Sequence, residues 1–395
     1  MHKYKLGDVL SEIIDNRGKN PPYYSESGYF VLDNYLFSGG NKYPKENEAG
    51  RYIDAQTYDS FLRKTLKKDD VCITLVGNGI GNLCVIPSEK WVTIQNSIGL
   101  RCRPEMALQD YLYYYLKCSR EAVRALDRGS SQPSILQGDL LDLEISLPDI
   151  KAQNCTITLL NALDNKIVSN NKIIETSERL MREIYDYWFV QFDFPDENGR
   201  PYKSSGGEMV YDEKLKRETP KGWKVLELGD IIKEAKKSSV QVNGAREKVG
   251  TYPFFTSGDE ILDFDEYYVD GFNIFLNTGG NADIKSYYGK SAYSTDTWCI
   301  SADEYSYMLF IFLDSIKEQI NNNCFAGSGL KHLQKNAFKK IKIVAPDDNL
   351  LRAFNDLAQS FHQAISSYKT ESKKLASLRD WLLPMLMNGQ IKVSE

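Results

Sequence analysis

GSSQPSILQGDLLDLEISLPD, residues Gly129 to Asp149, returns later in the chain as GSGLKHLQKNAFKKIKIVAPD, Gly327 to Asp347. The two stretches have equal length, open on Gly-Ser and close on Pro-Asp. Ile135, Leu143, Ile145 and Pro148 of the first fall against Leu333, Ile341, Ile343 and Pro346 of the second. An aromatic, helix-like segment precedes each, QDYLYYYLKCSREAVRAL in one half and YSYMLFIFLDSIKEQI in the other. The halves also begin alike, with YKLGDVL at Tyr4 and LELGDII at Leu226. Features repeated in one order mark a duplication, so the sequence predicts two homologous globular copies.

After each Pro-Asp the period changes. Leu160, Leu163, Ile167, Asn170, Ile174, Ser177, Met181, Ile184 and Trp188 are spaced alternately by three and four, as are Leu351, Phe354, Ala358, Phe361, Ile365, Tyr368, Ser372, Leu375, Arg379 and Leu382. That spacing is the seam of a coiled coil. Two helices of about 38 residues would each run roughly 55 Å. A helix with one apolar seam needs a partner to keep the seam from water, and the other copy's helix, antiparallel, is the economical one. Leu163, Ile167, Ile174, Leu180 and Ile184 are then expected to pack the seam with Phe354, Phe361, Ile365, Tyr368 and Leu375. The competing arrangement folds each helix back on its own domain.

The expected organisation is a first domain at 1–150, a long spacer helix at 151–192, a linker at 193–222 dense in Pro, Gly, Ser and charge, a second domain at 223–348, and a second spacer helix with a tail at 349–395. The fold class is α+β: two homologous mixed α/β domains joined by two long antiparallel coiled-coil helices.

With 395 residues, two or three domains can each bury a core. The 25 Tyr and 17 Phe suit packed strands and flat binding faces. YMLFIFL at Tyr307 to Leu313 is the nearest approach to a membrane span and falls short of the roughly 18 apolar residues needed. The N-terminal MHKYKLGDVLSEIID carries acids where a signal peptide would be apolar. The expectation is a cytoplasmic protein without a membrane partner. Seven cysteines (72, 84, 102, 118, 155, 299 and 324) form no CxxC pair, and histidines at 2, 332 and 362 are too scattered for a zinc pattern. Free thiols and no metal are expected. A net charge of -5 argues weakly against nucleic acid. Locally the balance reverses, because no acid lies between Glu318 and Asp347 while Lys331, Lys335, Lys339, Lys340 and Lys342 do. A solvated helix face is the plain reading of this patch and a phosphate-binding one the functional reading.

Three motifs suggest catalysis. Asn20-Pro21-Pro22-Tyr23 matches the catalytic tetrapeptide of DNA amino-methyltransferases, which would make the chain an autonomous DNA adenine methyltransferase. That chemistry needs the motif at the carboxyl end of a buried parallel strand, with the Tyr stacked on a flipped base. DNRGK precedes it instead, which is turn chemistry. VCITLVGNGIGN, Val71 to Asn82, offers glycines after a strand, but the β-branched LCVIPSEKWVTIQ that follows holds no helix to receive a phosphate or AdoMet. Pro195-Asp196 with Asp212-Glu213-Lys214 imitates a metal-dependent nuclease, yet these residues fall in the linker rather than on adjacent core strands.

YDYWFVQFDFPDENGRPYKSSGGEMVYDEKLKRETPKGW, Tyr185 to Trp223, together with LRDWLLPMLMNGQI from Leu378, resembles the specificity subunit of type I restriction-modification systems. The resemblance spans the chain: two target-recognition domains, each followed by a long spacer helix. In that family RGKxPP recurs near the start of recognition domains, which places Asn20 where other members carry no methylating residue. The resemblance implies a non-catalytic subunit on double-stranded DNA, recruiting two methylating subunits and, for cleavage, restriction subunits. AdoMet, ATP and Mg²⁺ would belong to those partners, and no cofactor to this chain. Each recognition domain would read one half of a bipartite target, with the helices setting the gap and docking the methylating subunits.

Base readout needs donors and acceptors on loops that enter a groove, with basic residues on the phosphates. The first domain offers Arg17, Lys19, Asn78, Asn82, Ser130, Ser131 and Gln132. The second offers Thr256, Ser257, Thr278, Asn281, Lys290, Thr295, Thr297, Ser328, Lys331 and His332. For each, a solvated loop residue is the plain alternative. Trp188, Phe189, Trp381 and Leu382 suit either subunit docking or the domain cores.

Overall fold

The computed structural model describes residues 1–37, 42–129 and 131–393. The chain forms two compact units, one of Met1–Asn170 with Thr370–Glu395 and one of Asn171–Lys369.

In the first unit β1 (His2–Lys5), β2 (Leu10–Ile14), β3 (Tyr29–Val31), β4 (Tyr52–Ile53) and α1 (Ala55–Phe61) lead to β5 (Val71–Thr74). Then follow β6 (Leu83–Val85), β7 (Trp91–Val92), β8 (Ser97–Cys102), α2 (Gln109–Cys118), α3 (Arg120–Arg124), α4 (Gln137–Leu141), β9 (Glu144–Leu147) and the long α5 (Ile150–Tyr185). A four-stranded antiparallel sheet has the order β2-β8-β5-β6, a three-stranded sheet the order β4-β3-β7, and β1 pairs with β9. Val71, Cys72, Ile73 and Thr74 are all buried, which explains a strand without polar alternation. Tyr111, Leu112, Tyr114 and Leu116 of α2 join Val71, Ile73, Val85 and Leu100 in one core.

The second unit repeats this plan. A linker hairpin, β10 (Met209–Asp212) with β11 (Arg217–Pro220), precedes β12 (Lys224–Glu227), α6 (Leu228–Ile231), β13 (Lys233–Glu234), α7 (Val242–Arg246), β14 (Tyr252–Phe255) and β15 (Ile261–Phe264). Next come β16 (Phe272–Asn277), β17 (Ile284–Tyr288), β18 (Ala292–Tyr293), β19 (Thr297–Ser301), α8 (Ser306–Ser315), α9 (Lys317–Asn323), β20 (Phe325–Ala326), β21 (His332–Leu333), α10 (Lys335–Lys339), β22 (Lys342–Ala345) and the long α11 (Asp348–Met387). The sheets run β13-β19-β16-β17 and β15-β14-β18, and β12 pairs with β22. Even the odd parallel contact recurs, Val31 beside Val92 in β3–β7 and Phe255 beside Tyr293 in β14–β18. The linker is ordered by aromatic packing: Phe194 stacks on Tyr202 and on Trp223, with ring centroids 4.6 and 5.1 Å apart.

The recurring Pro-Asp caps the long helices. The Asp149 carboxylate accepts from the Ala152 N–H at 2.8 Å, and that of Asp347 from the N–H groups of Asn349 and Leu350 at 3.0 Å, satisfying donors that a helix start leaves open. α5 crosses from the first unit into the second and α11 back again. Within the first unit their facing segments meet antiparallel: Asp164 pairs with Arg379 at 2.6 Å, and Asn170 donates to Glu371 at 2.8 Å. Within the second, Glu178 meets Lys369 at 3.4 Å and Tyr185 packs on Phe354.

Of the expected seam residues, Ile174, Phe354 and Ile365 are buried, and Leu163, Ile167, Ile184, Phe361, Tyr368 and Leu375 are half-buried. Leu180 corrects the reading, being 38% exposed while its neighbour Met181 fills the seam at 4%. Two adjacent apolar residues satisfy a heptad pattern equally well, and packing chooses one. The seam also holds buried Asp164 and Asn170. Trp188 and Phe189 join the core of the second unit, and Leu382 packs on that of the first, whereas Trp381 is 62% exposed.

Candidate nucleic-acid interface

In each unit two loops meet beside the end of the central strand. In the first, the Ile135 N–H donates to the Leu75 carbonyl at 2.8 Å and that of Gly77 to the Pro133 carbonyl at 2.9 Å. In the second, Leu333 donates to Thr278 at 3.0 Å and Gly280 to Lys331 at 2.9 Å. The bridges Val76 to Ser134 and Gly279 to His332 complete the correspondence. Gly77 and Gly280 have φ of 95° and 87°, a left-handed turn that costs other residues about 1–2 kcal/mol. The repeated Gly-Ser stretches are therefore the second partner of a two-loop scaffold, built once per unit.

The side chains on this scaffold differ. The first unit exposes Asn78, Ser131 and Gln132; the Gln132 amide lies beside Gly77, as does that of Asn34, which donates to the Val76 carbonyl at 3.0 Å. Asn82 accepts from Arg120, and Arg120 and Arg124 flank Gly81. Ser130 lies outside the described residues. Asp127 takes the N–H groups of Gly129 and Ser134 at 2.9 and 2.7 Å, and those bonds hold its pKa down. Arg17 is half-buried against Asp15, 2.8 Å away, and Lys19 is exposed in the following turn.

The second unit exposes Asn281, Ser328, Lys331 and His332 around its loop pair. Thr278 donates to the Asp296 carbonyl at 3.0 Å, Lys290 stands over the Tyr267 ring at 4.7 Å, and Ser257 and Thr295 are half-buried. Thr256 and Thr297 correct the sequence reading. Both are 5% exposed, and their hydroxyls reach the carbonyls of Glu260 at 2.6 Å and Phe255 at 3.2 Å. They tie strand ends to the core and present nothing outward, a distinction that a polar residue beside a strand does not reveal by itself.

The basic patch is partly neutralised. Lys335 and Lys339 bind Glu234 at 3.0 and 2.6 Å. The two lysines, Lys339 foremost, hold the Glu234 carboxylate down to about 2. Lys331 and Lys340 are exposed. The arginine row 120, 124 and 128 was the readable signal that went unused; its i, i+4 spacing places Arg120 and Arg124 on one helix edge beside the glycine loop.

The catalytic motifs do not assemble. Asn20-Pro21-Pro22-Tyr23 follows β2, which is antiparallel to β8, after an intervening turn, and the Tyr23 hydroxyl donates to Asp54. Gly77 to Gly81 joins antiparallel β5 to β6, with no helix opening there. Asp196 accepts from the N–H groups of Asn198 and Arg200, and Asp212 from those of Lys214 and Leu215, so each closes its own turn.

Two versions of one loop scaffold, carried on a duplicated fold whose helices are shared, define a protein that presents two related recognition surfaces. The chain belongs to the type I restriction modification DNA specificity domain family, whose model matches residues 3–179 and 220–350. It is 26% identical over 313 residues to the type I restriction enzyme MjaIX specificity subunit of Methanocaldococcus jannaschii, covering 73% of this chain and 70% of that one. It is 22% identical over 405 residues to the HindI specificity subunit of Haemophilus influenzae, covering 83% and 88%. The crystal structure of the type I restriction-modification S subunit from M. genitalium superposes with a TM-score of 0.63 at 18% identity, over 98% of this chain and 95% of that one, a likeness of fold. Among the described residues no helix is long and apolar enough to cross a membrane.

Proposed function

We propose that the chain is the DNA sequence-specificity subunit of a type I restriction-modification complex, in which each unit reads one half of a bipartite double-stranded target. One observation carries this reading: the loop pairs at Gly77 with Pro133 and Gly280 with Lys331 have the same backbone bonds but different exposed side chains. A constant scaffold with variable donors and acceptors suits the recognition of two different short sequences. In the first unit Lys19, Asn78, Asn82, Ser131 and Gln132 would meet the DNA, with Arg17 flanking them. In the second, Asn281, Lys290, Ser328, Lys331 and His332 would do so, with Ser257, Thr278 and Thr295 at the margin.

The helices would set the gap between half-sites. Exposed Trp381 and Leu378, 62% and 43% accessible on α11, would offer apolar surface to a methylating subunit. Two such subunits and restriction subunits would supply the chemistry in the cytoplasm, with AdoMet, ATP and Mg²⁺ bound there and none on this chain.

Exchanging residues 1–150 for another recognition domain tests the reading. Modified bases mapped across the genome should change in one half of the motif only. A change in both halves would contradict modular reading. Methylation by the purified chain alone would show an autonomous methyltransferase instead.

A further inference from the structure

The first unit carries a surface network that none of the sequence motifs announced. Five side chains from four stretches of the chain converge on it. Gln95 donates through Nε2 to the Asn20 Oδ1, and its Oε1 accepts from Arg51 Nη2 at 3.4 Å. Arg51 is fixed in turn: its Nε donates to Asp33 at 3.0 Å and its Nη1 to the Tyr24 hydroxyl at 2.7 Å, and the guanidinium lies 4.6 Å from the Tyr24 ring centre. The network adjoins the glycine loop. The carbonyl of Asn96, next to Gln95, accepts from the N–H groups of Leu75 and Val76 at 2.8 and 3.2 Å, and Asn34, next to Asp33, donates to Val76.

A primary amide has two N–H donors and an oxygen with two lone pairs. Among the described residues the network uses one donor and one acceptor site of Gln95, leaving one of each. That is the pair with which Gln grips adenine, donating to N7 and accepting from the N6 amino group in the major groove. The partners on both sides hold the amide in place before DNA arrives, as a reader requires. We propose that Gln95 is a specificity-determining residue of the first unit, oriented by Asn20 and Arg51 to read an adenine in one half-site. The second unit has no counterpart, since Ile261 occupies the strand position of Arg51: the Val31 N–H donates to the Arg51 carbonyl, and Phe255 pairs with Ile261.

This inference rests on the first unit being a half-site reader, and the test separates the two. In cells carrying the complete system, modified bases are mapped genome-wide with the unaltered chain, with Gln95→Ala and with Gln95→Glu, and the melting of each purified variant is followed. The unaltered chain failing to direct any bipartite motif would refute the reading of function itself. Given that motif, Gln95→Ala should relax one adenine position in one half, with discrimination there reduced roughly fivefold to a hundredfold. Gln95→Glu, which can only accept, should move that position toward cytosine. An unchanged motif in both variants, altered preferences in both halves, or loss of all modification by two variants that melt normally would each overturn the assignment.

Discussion

Asp164 and Arg379 lie 215 residues apart in sequence and meet at 2.6 Å inside the first unit, with side chains only 8% and 12% exposed. Tyr114 of α2 donates to the same Asp164 at 2.6 Å, and Lys42 bridges Asp110 at 2.7 Å and Asn161 at 2.7 Å alongside it. The joint between domain and helices is therefore a polar network built on a buried ion pair. At the matching site of the second unit stands His362, equally far past Pro346 as Asp164 is past Pro148. It sits among Phe272, Tyr307 and Phe310, with ring centroids 4.9, 5.1 and 6.1 Å away.

Removing one member of the ionic joint strands a buried charge. Arg379→Met or Asp164→Ala should each lower stability by about 3–5 kcal/mol, read by denaturant unfolding. The double replacement Asp164→Leu with Arg379→Met should cost less than the sum of the two single changes. Additive losses would show that the two residues are not coupled.

The aromatic joint predicts an acid sensitivity of opposite chemistry. Burial, with a smaller contribution from Lys369, depresses the His362 pKa from 6.5 to about 4. Between those values the unfolded imidazole takes a proton that the folded one refuses, so stability should fall as pH drops from 6.5 toward 4, by on the order of 3 kcal/mol. His362→Phe should flatten the pH dependence of unfolding in this window. Glu234 acts lower: its folded pKa is depressed from 4.5 to about 2, so its contribution is present above 4.5 and fades as pH falls toward 2.

Gly280→Val tests the loop scaffold. A side chain there finds open space but a φ of 87°, so the expected cost is about 1–2 kcal/mol in thermal unfolding. The modified motif should lose definition in the half read by the second unit and keep the other half.

Under the proposed reading Lys331, exposed beside the second loop pair, would hold a phosphate rather than read a base. Lys331→Ala should weaken binding of the assembled complex to all DNA sequences alike and lower the slope of log K against log salt by about one, measured by fluorescence anisotropy. Loss of preference at a single base position would assign it to readout instead.

The loop scaffold was legible in outline and its side chains obscure in detail. Gly129 and Gly327 were identifiable as equivalent because the repeat is written in the chain, and each leaves no room for a side chain against the carbonyl three residues on, that of Gln132 in one unit and Leu330 in the other. Thr256 and Thr297 were misassigned because a hydroxyl next to a strand looks the same in sequence whether it faces solvent or bonds to a neighbouring carbonyl. Lys335 and Lys339 looked free because their acid, Glu234, is about a hundred residues upstream. Gln95 was invisible because its meaning depends on Asn20 and Arg51, which no local pattern links to it.

Duplication, the two long helices and their Pro-Asp starts were determined by sequence alone, since periodic burial and helix capping are local demands that each residue states through its own spacing. Tertiary structure alone decided which polar groups are already satisfied. A hydrogen bond or ion pair between distant segments exists only once the chain has brought them within about 3 Å, and whatever remains unsatisfied at the surface is what a DNA groove can use.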